Sequence, residues 1–341
     1  MTAPSDAPGT AGDASEVEPA QGSGDTASRS LRQIAWQRFR RDKVAMVGGV
    51  VVLLLIAVAI FAPLLVKLFG YPPNEFNQAP IDPLTGGVLK DPDDPMSGID
   101  PWGGMSWNHL LGLEPVNGRD LFSRVVYGAQ ISLLVAFGAT VLCVAIGTVL
   151  GILAGYFGGW VDTVISRAMD IFLAFPLLLF AIALAGVIPD GAFGLTGNGL
   201  RIALLIFIIG FFNWPYIGRI VRGQTLTFKE REFVEAARSL GASNRHILFR
   251  EILPNLITPI LVYSTLLIPT NILFEAALSF LGVGINPPTP TWGGMISNSL
   301  QYYTTSPHFV IIPGMAIFIT VLAFNLLGDG LRDAFDPRSS D

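Results

Sequence analysis

Long apolar runs alternate with short polar stretches along this chain. Six runs reach the roughly 20 residues that a helix needs to cross a hydrocarbon core of about 30 Å. They lie at 44–69, 131–156, 164–187, 200–221, 256–283 and 309–327. The pattern predicts an all-α, polytopic membrane helical bundle with six transmembrane helices. Around 72–107, before the second run, Pro, Gly and Asp crowd together, which predicts an irregular excursion and not a folded domain. Just after it, Leu121, Phe122, Val125 and Val126 share one helical face, as in a short interfacial helix.

The chain divides on this pattern into a disordered N-terminus (1–30), a region carrying the first span (31–69), an outer loop (70–125), a five-helix core (126–335) and a tail (336–341). Residues 1–28 hold no Lys or Arg and too few large apolar side chains to offset ordering entropy. They are not expected to be a signal peptide, because the first apolar run is too long for one.

Composition supports the membrane reading. Of 341 residues, 51% are hydrophobic and 14% charged, against about 25% charged in soluble domains. A net charge of −5 is no footprint of a nucleic-acid binder. One cysteine, Cys143, excludes an intramolecular disulfide and reads as a packing residue. Basic residues set the orientation. Arg38, Arg40, Arg41 and Lys43 precede the first span, Arg222 to Arg250 lie between the fourth and fifth, and Arg332 and Arg338 follow the last. All three groups then face the cytoplasm, with both termini. The outer loop carries Asp82, Asp91, Asp93, Asp94 and Asp100 against Lys90. Arg119 and Arg124 break the rule weakly.

Several features inside the runs call for packing or function. Gly147, Gly151 and Gly155 share one face of the second run, where a backbone can approach closely. That backbone belongs either to this chain or to a second one. Pro176, Pro215, Pro259 and Pro269 interrupt apolar runs and are expected to kink their helices. Arg167 and Asp170 can pair at i, i+3. Glu275 sits amid apolar neighbours, with Asn271 one turn before it. Both are candidates for the lining of a passage. For Glu275 a second reading stays open, a carboxylate near the interface bonded to backbone amides.

The segment 222–256 carries the strongest signal. Phe233, Ala236, Ala237 and Leu240 fall at i, i+3, i+4 and i+7, the stripe of an amphipathic helix. Gly241 can end that helix in a left-handed conformation. Ser243 or Asn244 can cap a second helix, which Pro254 is expected to close before the fifth span. The result is a small cytoplasmic knob, or else a helix lying on the membrane. Docked into a partner, Phe233 and Leu240 would each contribute about 1.5–3 kcal/mol.

Glu235-Ala236-Ala237, three residues and Gly241, with Ile252-Leu253-Pro254 beyond, resembles the signature loop of ABC-importer permeases. Glu251 stands where the general pattern has Ile, as in the peptide-importer branch. Gly118 to Arg124, Leu153 to Trp160, Leu278 to Gly284, Pro287 to Gly293 and Asn325 to Asp333 resemble the C-type permease of dipeptide and oligopeptide importers. The resemblance implies the type I permease fold. It implies coupling helices between spans four and five, which would use Phe233, Glu235, Ala236, Ala237, Arg238, Leu240 and Gly241 to meet an ATPase. It also implies a second permease, two P-loop ATPases and an extracytoplasmic solute-binding protein as partners in the plasma membrane. The acidic stretch from Asp91 to Asp100 is a candidate contact for that binding protein. No cofactor is expected on this chain, with ATP and Mg on the ATPases. Peptides are the implied cargo, with nickel chelates or haem as alternatives.

No Gly-x-x-x-x-Gly-Lys-Ser/Thr loop and no nucleophile motif occur in the sequence, so the chain is not expected to be an enzyme. His109, His246 and His308 are expected at surfaces or interfaces. Two rival readings remain, a stand-alone secondary transporter or channel and a membrane-embedded enzyme or anchor. The first predicts inverted repeats and midplane charges, the second clustered catalytic residues. Neither pattern is evident in the sequence.

Overall fold

The computed structural model describes residues 31–187, 191–192 and 194–335. The N-terminus expected to be disordered (1–30) and the tail (336–341) lie outside them. The described chain is helical, with a turn-rich segment at one end of the bundle. A basic helix, α1 (Leu31–Arg41), stops at Asp42, whose carboxylate accepts from the amides of Val44 and Ala45 and so caps α2 (Lys43–Ile60). A short α3 (Ala62–Phe69) completes the first span, with Pro63 in its first turn.

Next comes α4 (Leu121–Phe157), capped by Asp120. Leu121, Phe122, Val125 and Val126 belong to its opening turns, so the expected separate interfacial helix does not exist. The helix keeps going because no Pro separates these residues from the apolar run, and the one intervening glycine, Gly128, is buried within the helix against Trp292. Then follow α5 (Gly159–Ala174), α6 (Leu177–Val187), a two-stranded hairpin of β1 (Gly191–Ala192) and β2 (Leu195–Thr196), and α7 (Gly197–Lys229). The cytoplasmic segment holds α8 (Glu232–Ser239), the three-residue α9 (Asn244–His246) and a π-helical stretch (Ile247–Ile252) that runs into α10 (Leu253–Phe280). Finally α11 (Trp292–Ser299) leads to α12 (His308–Phe335).

Among the described residues five helices are long and apolar enough to span, and α5 with α6 makes a sixth crossing bent by 78°. The bend falls at Phe175-Pro176. Proline lacks an N–H and forces the preceding residue out of helical geometry, and Phe175 is extended at φ −82° and ψ 127°. That α5 and α6 together make one crossing follows from their neighbours. Gly147, Gly151 and Gly155 of α4 meet Trp214, Gly218 and Arg222 of α7 in ascending order. The two helices therefore run parallel, and the chain must return across the membrane between them. Pro215, Pro259 and Pro269 lie inside helices that continue past them. Close contacts to α4 hold α7 on both sides of Pro215, at Gly210 and at Gly218. Tertiary packing there maintains what the missing hydrogen bond would break.

The outer segment is more ordered than an irregular excursion. Bridges pair Ile81 with Val88, Leu89 with Ile99, and Leu113 with Asp120. Val88, Leu89 and Leu113 are buried. Arg119 and Arg124 are not surface exceptions to the charge rule. Both are buried against the Glu114 carboxylate. His308, expected at a surface or interface, is also buried, with its ring nitrogens 3.0 Å from the Pro101 carbonyl and 2.9 Å from that of Leu113. His109 packs on Tyr71 and meets Asp120 at 3.0 Å. Tertiary contacts with α4 and α12 order this segment, and no local periodicity announces them.

Candidate functional site

The knob at the end of the bundle is built by two faces of one short helix. Val234 and Ala237 of α8 turn inward onto Ile247, Ile252 and Leu256 and onto the ends of α4 and α7. Phe233 and Ala236 turn outward, and Leu240, just past the helix end, is 89% exposed. The expected stripe of Phe233, Ala236, Ala237 and Leu240 is thus divided. Only Ala237 anchors, and the principal anchor, Val234, was missed because its polar neighbours hide it. Glu235 and Arg238 are exposed on the same helix.

Gly241 ends α8 at φ +80°. Its amide donates to the Arg238 carbonyl at 2.9 Å, and the Ala242 amide donates to the Ala237 carbonyl at 3.0 Å. These are the two bonds of a Schellman stop. Ser243 caps the next helix by accepting from the His246 amide. Pro254 does not close that helix, which passes into α10 through the π-helical stretch. The wider turn is marked by the Leu253 amide donating to the Leu248 carbonyl, five residues back. Proline clashes with the carbonyl four residues before it in a regular α-turn, and loosening the turn ahead of Pro254 relieves that clash.

Deeper in the bundle, polar side chains tie the spans together. Asn271 of α10 donates to Thr140 of α4 at 2.8 Å and accepts from Asn213 of α7 at 3.2 Å. Glu275 accepts from Ser279 at 2.8 Å. Both Asn271 and Glu275 are 0% exposed. Neither the passage-lining position expected for them nor the amide-bonded interfacial carboxylate is what this chain displays. Asn271 reaches two other helices because unpaired polar groups in hydrocarbon are costly, while Glu275 bonds to Ser279 one turn on in its own helix. Asn271→Leu is expected to cost about 1–2 kcal/mol, measured as a lower melting midpoint in detergent, and an unchanged midpoint would refute the tie.

Gly147, Gly151 and Gly155 pack within the chain. A Cβ on Gly151 would lie 2.7 Å from the Gly218 carbonyl oxygen. Arg167 and Asp170 do pair, at 3.8 Å, and Arg219 of α7 joins them at 2.7 Å from Asp170. At the bend between α5 and α6 an open cleft of about 460 Å³ is lined by Phe172, Phe175, Pro176, Asn213, Tyr216 and Phe274 among others. Sequence reasoning did not find it, since its walls come from four separate helices.

Comparison with known families decides the identity. The family of binding-protein-dependent transport system inner membrane components matches residues 147–341, which include the knob, and the N-terminal TM domain of oligopeptide transport permease C matches 30–83. The chain belongs to this permease family. Relatives of the permease include the glutathione transport system permease protein GsiD of Escherichia coli O6:K15:H31. That protein is 44% identical over 303 residues, covering 89% of each chain. The GsiD of Pectobacterium atrosepticum is 41% identical over 303 residues, 89% of this chain and 90% of that one. A chain of the MetNI methionine ABC transporter, solved in inward-facing conformations, superposes with a TM-score of 0.51 at 19% identity, over 63% of this permease and 97% of that chain. The likeness shows that the permease shares the ABC-importer fold.

Proposed function

We propose that this permease works as one of two membrane halves of an ATP-driven importer of small peptides, glutathione among the candidates. A second permease completes the passage, two P-loop ATPases sit below the knob, and an extracytoplasmic binding protein delivers cargo. The observation that carries the reading is the knob itself. Its inner face is sealed into the bundle, while Leu240 and Phe233 are presented to a partner that this chain lacks. In this reading ATP and Mg belong to the ATPases. The basic ends of the helices, with Arg40 and Arg41 at α1 and Arg332 at α12, support a cytoplasmic position for both termini. Glutathione, the cargo for which the relatives are named, supports a peptide class. The cleft at the α5–α6 bend is the surface this reading assigns to the passage, and no charged side chain is among its lining residues.

Mass spectrometry of the complex purified in mild detergent tests this directly. A second permease and P-loop ATPases are expected in it. A chain that purifies alone and moves solute in liposomes would overturn the reading.

Gly241→Val gives a sharper test of the knob. Valine at φ +80° is strained by about 1–2 kcal/mol, roughly a tenfold shift in a conformational equilibrium. No neighbouring atom crowds the position, so membrane insertion is expected to be normal. ATP-driven uptake is expected to fall about tenfold at equal membrane levels. Normal uptake would show that the left-handed stop is dispensable.

A further inference from the structure

We infer that Tyr156, the penultimate residue of α4, is the positioning residue that makes the knob and α4 move as one body. The inference rests on the importer reading above, since it concerns how the partner's motion enters the bundle.

Three parts of the cytoplasmic segment converge on this one side chain. The Tyr156 hydroxyl donates to Asn244 Oδ1 of α9 at 2.7 Å. The Arg238 guanidinium of α8 lies over its ring at 5.9 Å from the centroid. The Lys229 ammonium, at the end of α7, lies over the ring at the same 5.9 Å. Phe157 packs edge-on at 5.2 Å. Tyr156 is 5% exposed and belongs to the apolar cluster that holds Val234 and Ile247. Aromatic faces attract cations, so the ring is a platform for both basic residues while its hydroxyl fixes the second helix. Arg238, exposed on α8 and expected to meet an ATPase, also reaches this ring.

The position has a mechanical consequence. Gly155, next to Tyr156, lies against Thr225 and the Arg222 carbonyl, so the end of α4 cannot slide freely past α7. A push on α8 or α9 therefore reaches α4 through Tyr156, and reaches α7 through the glycine contacts. Val234 alone, an apolar contact without direction, would let the knob rotate. A hydrogen bond and two cations over one ring define an orientation.

Two spin labels test this in the complete complex, one on exposed Ser239 of α8 and one on exposed Val149 of α4. The single cysteine, Cys143, is buried, which leaves it out of reach of the label. In the otherwise wild-type complex the distance is expected to stay narrow and unchanged when ATP is added. In Tyr156→Phe, ATP is expected to raise the fraction of molecules with a displaced knob about fivefold, the factor one net hydrogen bond supplies. Asn244→Ala should do the same, and the double variant no more than either alone. Copurifying ATPases should be as in the wild type, and the displacement should depend on ATP, which a merely structural loss would not require. A wild-type distance that changes with ATP, a Tyr156→Phe distribution identical to wild type, or additive effects in the double variant would each overturn the inference. A complex without ATPases would instead overturn the importer reading itself, a distinct result.

Discussion

Gly151→Val is expected to separate α4 from α7 and to remove most folded protein from the membrane. The reason is the nature of the neighbour. A Cβ at 151 would stand 2.7 Å from the Gly218 backbone oxygen and 2.9 Å from the Val221 Cβ. A flexible side chain could swing away, but a helix backbone cannot. Gly147 and Gly155 lie in the same seam, with Cβ positions 2.8 Å from the backbone oxygens of Trp214 and Arg222. The seam therefore has no slack on either side of the insertion. Overpacking typically costs about 1–3 kcal/mol, and contact with backbone on both flanks puts this variant at about 3 kcal/mol or above. Helix association in lipid rests on such close packing, because apolar side chains gain little by leaving lipid tails. Gly151→Ala adds the same Cβ without the branches and should be milder. The check is the yield of monodisperse protein in detergent, with the melting midpoint of what survives. A valine variant that matches wild type in both would show that the seam can open.

Glu114→Ala is expected to destabilise the outer end of the bundle by about 3–5 kcal/mol, the cost of leaving buried charges without their partner. Glu114 stands between Arg119 and Arg124, and all three side chains are at most 7% exposed. Arg119 Nε donates to Glu114 Oε2 at 3.0 Å, and the Asn117 amide donates to Oε1 at 2.9 Å. Arg124 Nε lies 2.9 Å from Oε2. Arg124 also donates to the carbonyls of Pro73, at 3.1 Å, and Pro288, at 3.4 Å. One carboxylate thus neutralises two guanidiniums that fasten three separate stretches of chain. Without it, like charges face each other in a site that water does not reach. Glu114→Gln keeps the shape and an acceptor but loses the charge, so its loss should be intermediate. Thermal unfolding in detergent, followed by tryptophan fluorescence, measures both. An alanine variant with an unshifted midpoint would mean that water or a rearranged carboxylate already serves the two arginines.

How much of this was legible beforehand depends on the range over which each feature is encoded. The α8 stop at Gly241 was readable, because only a few consecutive residues decide a Schellman turn. The break at Pro176 was readable as a kink, and its 78° bend was not. Pro215 looks the same locally, yet its helix continues because α4 packs against α7 on both sides. The extent of α4 was underestimated because charged Arg124 interrupts the apolar run. Its partner, Glu114, comes from the turn-rich segment outside the helix. Asn271 and Glu275 stood out as intramembrane polar residues, and their partners did not. Thr140 and Asn213 lie 131 and 58 residues from Asn271 along the chain.

The sequence by itself determined the membrane setting, the number of crossings, the knob and its glycine stop. Each follows from local hydropathy, charge or backbone preference within one or two helical turns. Only the tertiary structure decided which side of α8 is anchored, where Gly147, Gly151 and Gly155 find their neighbour, and how the buried polar side chains are paired. It also decided that Tyr156 reaches α7, α8 and α9 at once. Such pairings depend on which helix faces are brought together, and a helix in lipid has several apolar faces that hydropathy cannot tell apart. Close approach of backbones and the need to satisfy each buried polar group select one arrangement among them.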